Sequence, residues 1–134
     1  MNGYLLDTDI CIFWLNGNEK IRKKVKKVGT VNLKASVITF AELRFGAYNS
    51  LKVKENLENI NNFFRKVKVL LLDQDAADRF GKIKANLRRK GEIIGDFDIL
   101  IASIALSHDE TLVTNNTDHF ERISELKYEN WLEK

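Results

Sequence analysis

Acidic and amide side chains follow the predicted strands and open the predicted apolar helices of this sequence. Asp7 comes directly after the first apolar run, Glu42 and Asp98 lie at the starts of apolar helices, and Asn115 and Asn116 follow a later strand. Oxygen ligands of this kind suit a hard cation such as Mg²⁺ or Mn²⁺. No Cys and His set has the spacing of a structural zinc site. The residue types therefore indicate a Mg²⁺ or Mn²⁺ centre.

Two of these carboxylates also have an ordinary structural interpretation. Asp7 is equally suited to cap the helix that follows it. Thr39 and Glu42 fit a capping box, in which Thr39 is the N-cap and Glu42 the N3 residue. Yet Glu42 is followed by Leu43 and Phe45, so its helix is expected to be largely buried. A carboxylate in such surroundings needs a partner or a metal.

Asp96 and Asp98 begin another apolar helix, and one of them is expected to cap it. Asp96 is nearer Gly95 and is the predicted cap. Asp98 then lies on a helix that must be buried, so it is the predicted ligand of a compensating cation.

The remaining polar candidates are ambiguous. Asn115, Asn116 and Asp118 are also common turn residues. His108 and His119 do not stand in a metal-ligand spacing, and we interpret both as structural or surface residues.

The elements that must position these side chains alternate between strand and helix. Continuous apolar runs predict strands at residues 3–6, 31–37, 67–72 and 111–114, with a short fifth within 124–131. Helical spacing predicts helices at residues 9–16, 19–28, 39–48, 51–64, 75–89 and 97–107. This order predicts an α/β fold with a parallel sheet covered by helices on both faces. In such folds, ligands bind at the carboxyl ends of the strands.

Length and composition describe an ordinary globular chain. The 134 residues suit one domain, and the single cysteine, Cys11, excludes an intrachain disulfide and suggests a reducing cytoplasm. The apolar run at residues 4–15 is interrupted by Asp7 and Asp9 and is too short to span a membrane.

The charge is spread unevenly along the chain. Residues 1–95 carry 19 Lys and Arg against 10 Asp and Glu, whereas residues 96–134 carry 3 against 9, which leaves a net charge of +3. The densest basic run is residues 20–27, and a second is residues 88–90. Such runs attract nucleic acid, although on their own they are more often a solvated helix face.

Four stretches in order resemble the motifs of the PIN-domain ribonucleases, and among these the VapC-type toxins of toxin–antitoxin pairs. They are residues 5–9, 36–46, 94–102, and 112–116 with 120–123. In this resemblance Asp7, Glu42 and Asp98 take the acidic positions. Asn116 stands where many relatives have Asp, and Asp118 is the alternative for that fourth position.

The resemblance implies a PIN-like fold over residues 1–134, with a central parallel sheet of four to five strands flanked by helices. It also implies a Mg²⁺- or Mn²⁺-dependent endoribonuclease. Asp7 and Asp98 would hold the metal, Glu42 would be a ligand or a water-orienting base, and Asn116 would complete the catalytic set. Further residues would contact these carboxylates or the substrate, namely Thr8, Thr114, Asn115, Asp118 and Asp96. The implied partners are RNA (transfer RNA among the candidates), a cognate antitoxin and a second copy of the chain, in the cytoplasm.

Two other functions fit parts of the pattern. A non-catalytic PIN-like module that binds RNA or protein is consistent with Asn116 in the fourth position. A haloacid-dehalogenase-like phosphatase is suggested by Asp7 and Asp9, an Asp-x-Asp pair after a first strand.

Overall fold

The computed structural model describes residues 3–133. Its five strands are β1 (Tyr4–Leu6), β2 (Leu33–Ser36), β3 (Lys68–Leu70), β4 (Thr111–Val113) and β5 (Tyr128–Glu129). Its α-helices are α1 (Thr8–Leu15), α2 (Glu19–Val28), α3 (Val37–Tyr48), α4 (Val53–Lys66), α5 (Gln74–Arg89), α6 (Asp96–Ser107) and α7 (Thr117–Phe120).

The five strands form one parallel sheet in the order β3-β2-β1-β4-β5. β1 is central, and its Leu5 lies opposite Lys34 of β2 and Leu112 of β4. Parallel strands need crossover connections, so the carboxyl ends of all five strands meet at one edge of the sheet. The predicted α/β fold with a parallel sheet of four to five strands is confirmed.

Helices cover the sheet on both faces, because alternate strand residues point to opposite sides. Leu5 and Leu112 pack with the buried residues of α5 and α6. Leu6 and Val113 pack on the other side, with buried residues of α1, α2, α3 and α4. These two apolar layers hold the sheet in place, and the candidate residues lie at the carboxyl edge of that sheet.

Helix α2 shows how the basic run is accommodated. Ile21 and Val25 are buried, while most of the lysines between and around them are exposed. The helix ends at Gly29, whose φ of 88° suits glycine. The basic residues of the run at 20–27 therefore form the solvent-facing side of α2, and its apolar residues pack on the core.

Most element boundaries differ from the predicted ones by one or two residues. The largest difference is at the second strand, because residues 30–32 form a 3₁₀ turn and Val37 already belongs to α3. Helix α7 was not predicted, and its fully buried Phe120 anchors it to the core. Within residues 3–133 no helix is long and apolar enough to cross a membrane.

Candidate active site

Asp7 is the most buried of the candidate acids, with 3% of its surface exposed. It follows β1 at the carboxyl edge of the sheet, and its backbone N–H donates to the carbonyl of Val113 at 2.9 Å. Its Oδ1 accepts a hydrogen bond from the Thr8 backbone N–H at 2.8 Å, so Asp7 is the N-cap of α1. Its Oδ2 accepts one from the Thr114 hydroxyl at 2.8 Å. The capping interpretation is thus confirmed. The capping carboxylate lies at the same sheet edge as the other candidate residues, so the two interpretations are compatible.

The pKa of Asp7 is raised from its ordinary value to about 7 by several effects together, and burial is the largest of them. Within that net value the charge of Asp9 also raises the pKa, the hydrogen bonds from Thr114 and Thr8 lower it, and the charge of Asp98 raises it by the smallest amount. The pKa of Asp9 is raised as well, chiefly by burial. This part of the site therefore favours protons or another cation over additional negative charge.

Asp9 lies close enough to Asp7 for its charge to raise the pKa of Asp7, although the sequence analysis gave it a chemical role only in the phosphatase alternative. Its Oδ2 accepts a hydrogen bond from the Asn115 backbone N–H at 3.0 Å, and its Oδ1 accepts one from Ile10 N–H at 2.7 Å. Its position two residues after Asp7, in the first turn of α1, was the available signal.

Glu42 joins the site through Thr8. The Thr8 hydroxyl donates to Oε1 of Glu42 at 2.7 Å and lies 2.9 Å from the hydroxyl of Thr39. The capping-box interpretation of Glu42 is wrong, because the N-cap of α3 is Ser36, whose hydroxyl accepts from the Thr39 backbone N–H at 3.1 Å. Glu42 is therefore held by a side chain from α1 rather than by its own helix terminus.

Helix α3 is also less buried than predicted. Phe45 is 68% exposed, and Tyr48 and Leu51 beyond it are exposed too. The apolar residues that follow Glu42 thus form a surface as well as a core contact.

Asp98 is 24% exposed and lies in the first turn of α6. Its Oδ2 is 2.8 Å from Nδ1 of His119 on α7, an exposed residue that the sequence analysis interpreted as structural or surface. Sequence reasoning missed this contact, since the two residues are 21 positions apart and no motif connects them. The other histidine, His108, is the C-cap of α6, and its Nε2 lies 3.8 Å from Oδ2 of Asp73.

Asp96 does not cap α6, and that prediction is wrong. The N-cap is Gly95, with no side-chain cap bond. Asp96 instead forms an exposed ion pair with Lys84 of α5 at 2.9 Å. The Asp96 carboxylate thus contacts α5 rather than the other candidate acids.

The segment after β4 contributes backbone groups more than side chains. The Asn116 N–H donates to the Thr114 hydroxyl at 2.9 Å, which fixes the oxygen that contacts Asp7. The Asn115 side-chain oxygen accepts from Asn130 at 3.0 Å. The side chains of Asn116 and Asp118 are exposed.

The donor set fits a hard divalent cation bound largely through water. Within residues 3–133 no three His, Cys, Asp or Glu side chains lie close enough together to ligate one ion. In the same part of the chain, no Lys or Arg forms an ion pair with Asp7, Asp9, Glu42 or Asp98. Mg²⁺ is usually held by one or two carboxylates and keeps several waters. Asp7 is a buried carboxylate beside Asp9, and no cationic side chain of the described residues pairs with either of them. A divalent cation would neutralise this negative charge.

Comparison with known proteins gives one consistent family. The family described as PIN domain matches residues 4–126. The tRNA(fMet)-specific endonuclease VapC of Salmonella typhimurium is 40% identical over 96% of this chain and 97% of its own length. Ribonuclease VapC2 of Rickettsia felis is 35% identical over 96% and 97%.

Solved structures agree with the sequence relatives. A chain of DNA-bound VapBC from Salmonella typhimurium superposes with a TM-score of 0.92 at 39% identity, covering 98% of this chain and 99% of that one. A chain of VapBC-1 from nontypeable Haemophilus influenzae gives 0.89 at 32% identity, with 97% and 98% covered.

Proposed function

The chain belongs to the PIN-domain family, and on that premise we propose that it is a metal-dependent endoribonuclease, the toxin of a toxin–antitoxin pair. The observation that carries the proposal is the buried carboxylate of Asp7 beside Asp9 and near Asp98, at the carboxyl edge of a parallel sheet. The nearly full-length similarity to proteins named as ribonucleases supports the same activity.

In this proposal Asp7 and Asp98 hold Mg²⁺ or Mn²⁺. When bound, the ion lowers the pKa of a coordinated water and neutralises charge on the attacked phosphate. The chain itself fixes the orientation of Asp7, because Thr8 N–H and the Thr114 hydroxyl each hold one of its two oxygens. Asp9, which stands beside it, adds negative charge to the same place.

Glu42 orients the attacking water and accepts its proton. Its Oε1 is held by the Thr8 hydroxyl, and Thr8 also supplies the backbone N–H that contacts Asp7. One residue of α1 therefore sets the relative positions of the two carboxylates. The reaction is an in-line attack of water on phosphorus that cleaves one phosphodiester bond.

RNA as the substrate is supported by the charge of the surface. Within residues 3–133 none of the six cations of α2 takes part in an ion pair. Unpaired cations bind phosphates without reading sequence. Transfer RNA is the first substrate to test, because the Salmonella typhimurium relative is named for it.

An antitoxin and a second copy of the chain are the proposed protein partners, in the cytoplasm. The solved relatives are VapBC complexes, which supports a cognate antitoxin. On this chain the exposed apolar side chains of Phe45, Tyr48 and Leu51 offer a surface for a protein partner.

The proposal is tested by incubating purified, antitoxin-free protein with total tRNA and Mg²⁺. We expect discrete fragments that are absent with EDTA and absent for Asp98→Asn. Asp78→Asn, which removes an exposed carboxylate paired with Lys82 on α5, is the matched control and should cleave normally. RNA that stays intact under every condition, but is bound equally well with and without Mg²⁺, would replace the proposal with a non-catalytic binding module.

A further inference from the structure

His119 is the histidine that touches the acidic site, and its contact is specific. Its Nδ1 lies 2.8 Å from Oδ2 of Asp98. Where the Asp98 carboxylate is ionised it has no hydrogen to give, so in that state Nδ1 is the donor of this contact. The imidazole is 47% exposed while the Asp98 carboxylate is 24% exposed, which places the ring on the solvent side of this carboxylate.

The position of His119 is fixed by its helix rather than by chance contact at a surface. The next residue, Phe120, is fully buried and anchors α7 in the core. The His119 backbone N–H donates to the Asn116 carbonyl at 3.1 Å, and the Asn116 N–H donates to Thr114 at 2.9 Å. The ring is thus tied to the same segment that holds Asp7.

The two oxygens of the Asp98 carboxylate differ in their contacts. Among the described residues, no side chain or backbone group donates to its Oδ1 and no Lys or Arg pairs with it. Asp7, by contrast, has a donor on each oxygen. The orientation of the Asp98 carboxylate therefore depends on the single bond from His119.

We propose that His119 is a positioning residue, which holds the Asp98 carboxylate so that its free oxygen is available to the metal. This inference rests on the proposed function. A carboxylate ligand is usually fixed by such an outer contact, and loss of the contact typically costs about 10–100-fold in metal affinity or activity.

Three substitutions of His119 test whether the hydrogen bond to Asp98 matters, rather than only the presence of a side chain at this position. His119→Ala removes the donor. His119→Asn places an amide N–H near the position of Nδ1, whereas His119→Gln places it farther out, near that of Nε2. His108→Ala is the matched control, because it removes the other histidine at the opposite end of α6.

The first readout is metal binding without RNA, followed as the rise in unfolding temperature with increasing Mg²⁺. We expect His119→Ala and His119→Gln to need about 10–100 times more Mg²⁺ for the half-maximal rise. His119→Asn should restore most of the affinity, and His108→Ala should match the wild type. Equal Mg²⁺ midpoints for wild type and His119→Ala, or no Mg²⁺ effect on the wild type, would overturn the inference.

The second readout is the ¹⁵N spectrum of the histidine rings in metal-free protein. Asp98→Ala should shift the His119 ring nitrogens and leave those of His108 in place; unmoved His119 signals would also overturn the inference. These measurements do not depend on cleavage. A chain that binds Mg²⁺ through the His119 contact but leaves RNA intact would disprove the ribonuclease proposal alone.

Discussion

The hydroxyl of Thr114 donates a 2.8 Å hydrogen bond to Oδ2 of Asp7, and so connects residues 107 positions apart across the β1–β4 pair. Both residues are buried, so the bond lies out of water. It acts against the burial that raises the pKa of Asp7. The Asp7 carboxylate is therefore stabilised in its charged form by the residue that follows the neighbouring strand β4.

Replacing Thr114 should weaken the fold most where Asp7 is ionised. Hydrogen bonds to charged groups contribute roughly 1.5–3 kcal/mol, so Thr114→Val should lower the free energy of unfolding by about that amount at pH 8. Thr114→Ser keeps the donor and should lose less. Thr111→Val, at the start of the same strand, is the control. Urea unfolding measures the difference, and equal losses for both valine variants would contradict the assignment.

The metal-free protein should become less stable as pH rises from about 4 to 7. The pKa of Asp7 is raised from 3.8 to about 7 in the folded chain, so the folded state holds a proton that the unfolded state has released. The stability linked to that proton is fully present below pH 4 and is lost as pH rises through 7. The loss is on the order of 4 kcal/mol, and Asp9 adds to it with the same sign.

Asp7→Asn should remove most of this pH dependence. In EDTA at pH 8 the variant should be more stable than the wild type, although we expect it to cleave no RNA. Asp78→Asn, which changes the net charge equally, should follow the wild-type curve. Urea unfolding at pH 5 and pH 8 provides the comparison; an Asp7→Asn variant less stable than the wild type at pH 8 would show that the buried charge is not costly.

Thr8→Val should reduce cleavage without unfolding the protein. The substitution removes the hydroxyl that donates to Glu42 and leaves the backbone N–H that donates to Asp7. We expect a rate loss of about 10–100-fold, as for other outer contacts of a metal site. Thr8→Ser keeps the hydroxyl and should recover most of the rate. Single-turnover cleavage at saturating Mg²⁺ separates this effect from metal binding.

Neutralising exposed lysines of α2 should lower the salt dependence of RNA binding. Each contact with a single-stranded phosphate contributes about 0.7 to the slope of log affinity against log salt. Lys23→Gln combined with Lys27→Gln should therefore reduce the slope by up to about 1.4. Lys54→Gln with Lys68→Gln removes two other exposed lysines and serves as the control. Identical slopes for the two double variants would exclude a specific role for α2.

The sequence predicted the parts of the fold that depend on local pattern. Apolar runs and helical spacing placed the sheet and the long helices, because burial follows hydrophobic periodicity. Caps were less predictable. Ser36 and Thr39 are both good N-caps three positions apart, and the tertiary position of Thr39 beside Thr8 decides between them.

Which candidate side chains contact each other could be predicted from the sequence only for residues at strand ends. Asp7 and Thr114 follow adjacent strands, and their proximity could be inferred from the parallel sheet. The Asp98–His119 contact depends on how α6 and α7 approach each other, which no local pattern encodes. Asp96 was predicted to cap α6 because it follows Gly95, yet its carboxylate forms an ion pair with Lys84 on α5 instead.

The order of the strands has a consequence for synthesis of the protein on the ribosome. β1 is made before β4, but the residues that complete the contacts around Asp7 come from the segment that follows β4. Asn130 then holds Asn115, whose N–H holds Asp9. A nascent chain in which Asp7 has already emerged therefore lacks these contacts until residues 114–130 have also been made, so the proposed ribonuclease site forms only after β4 and β5 have been synthesised.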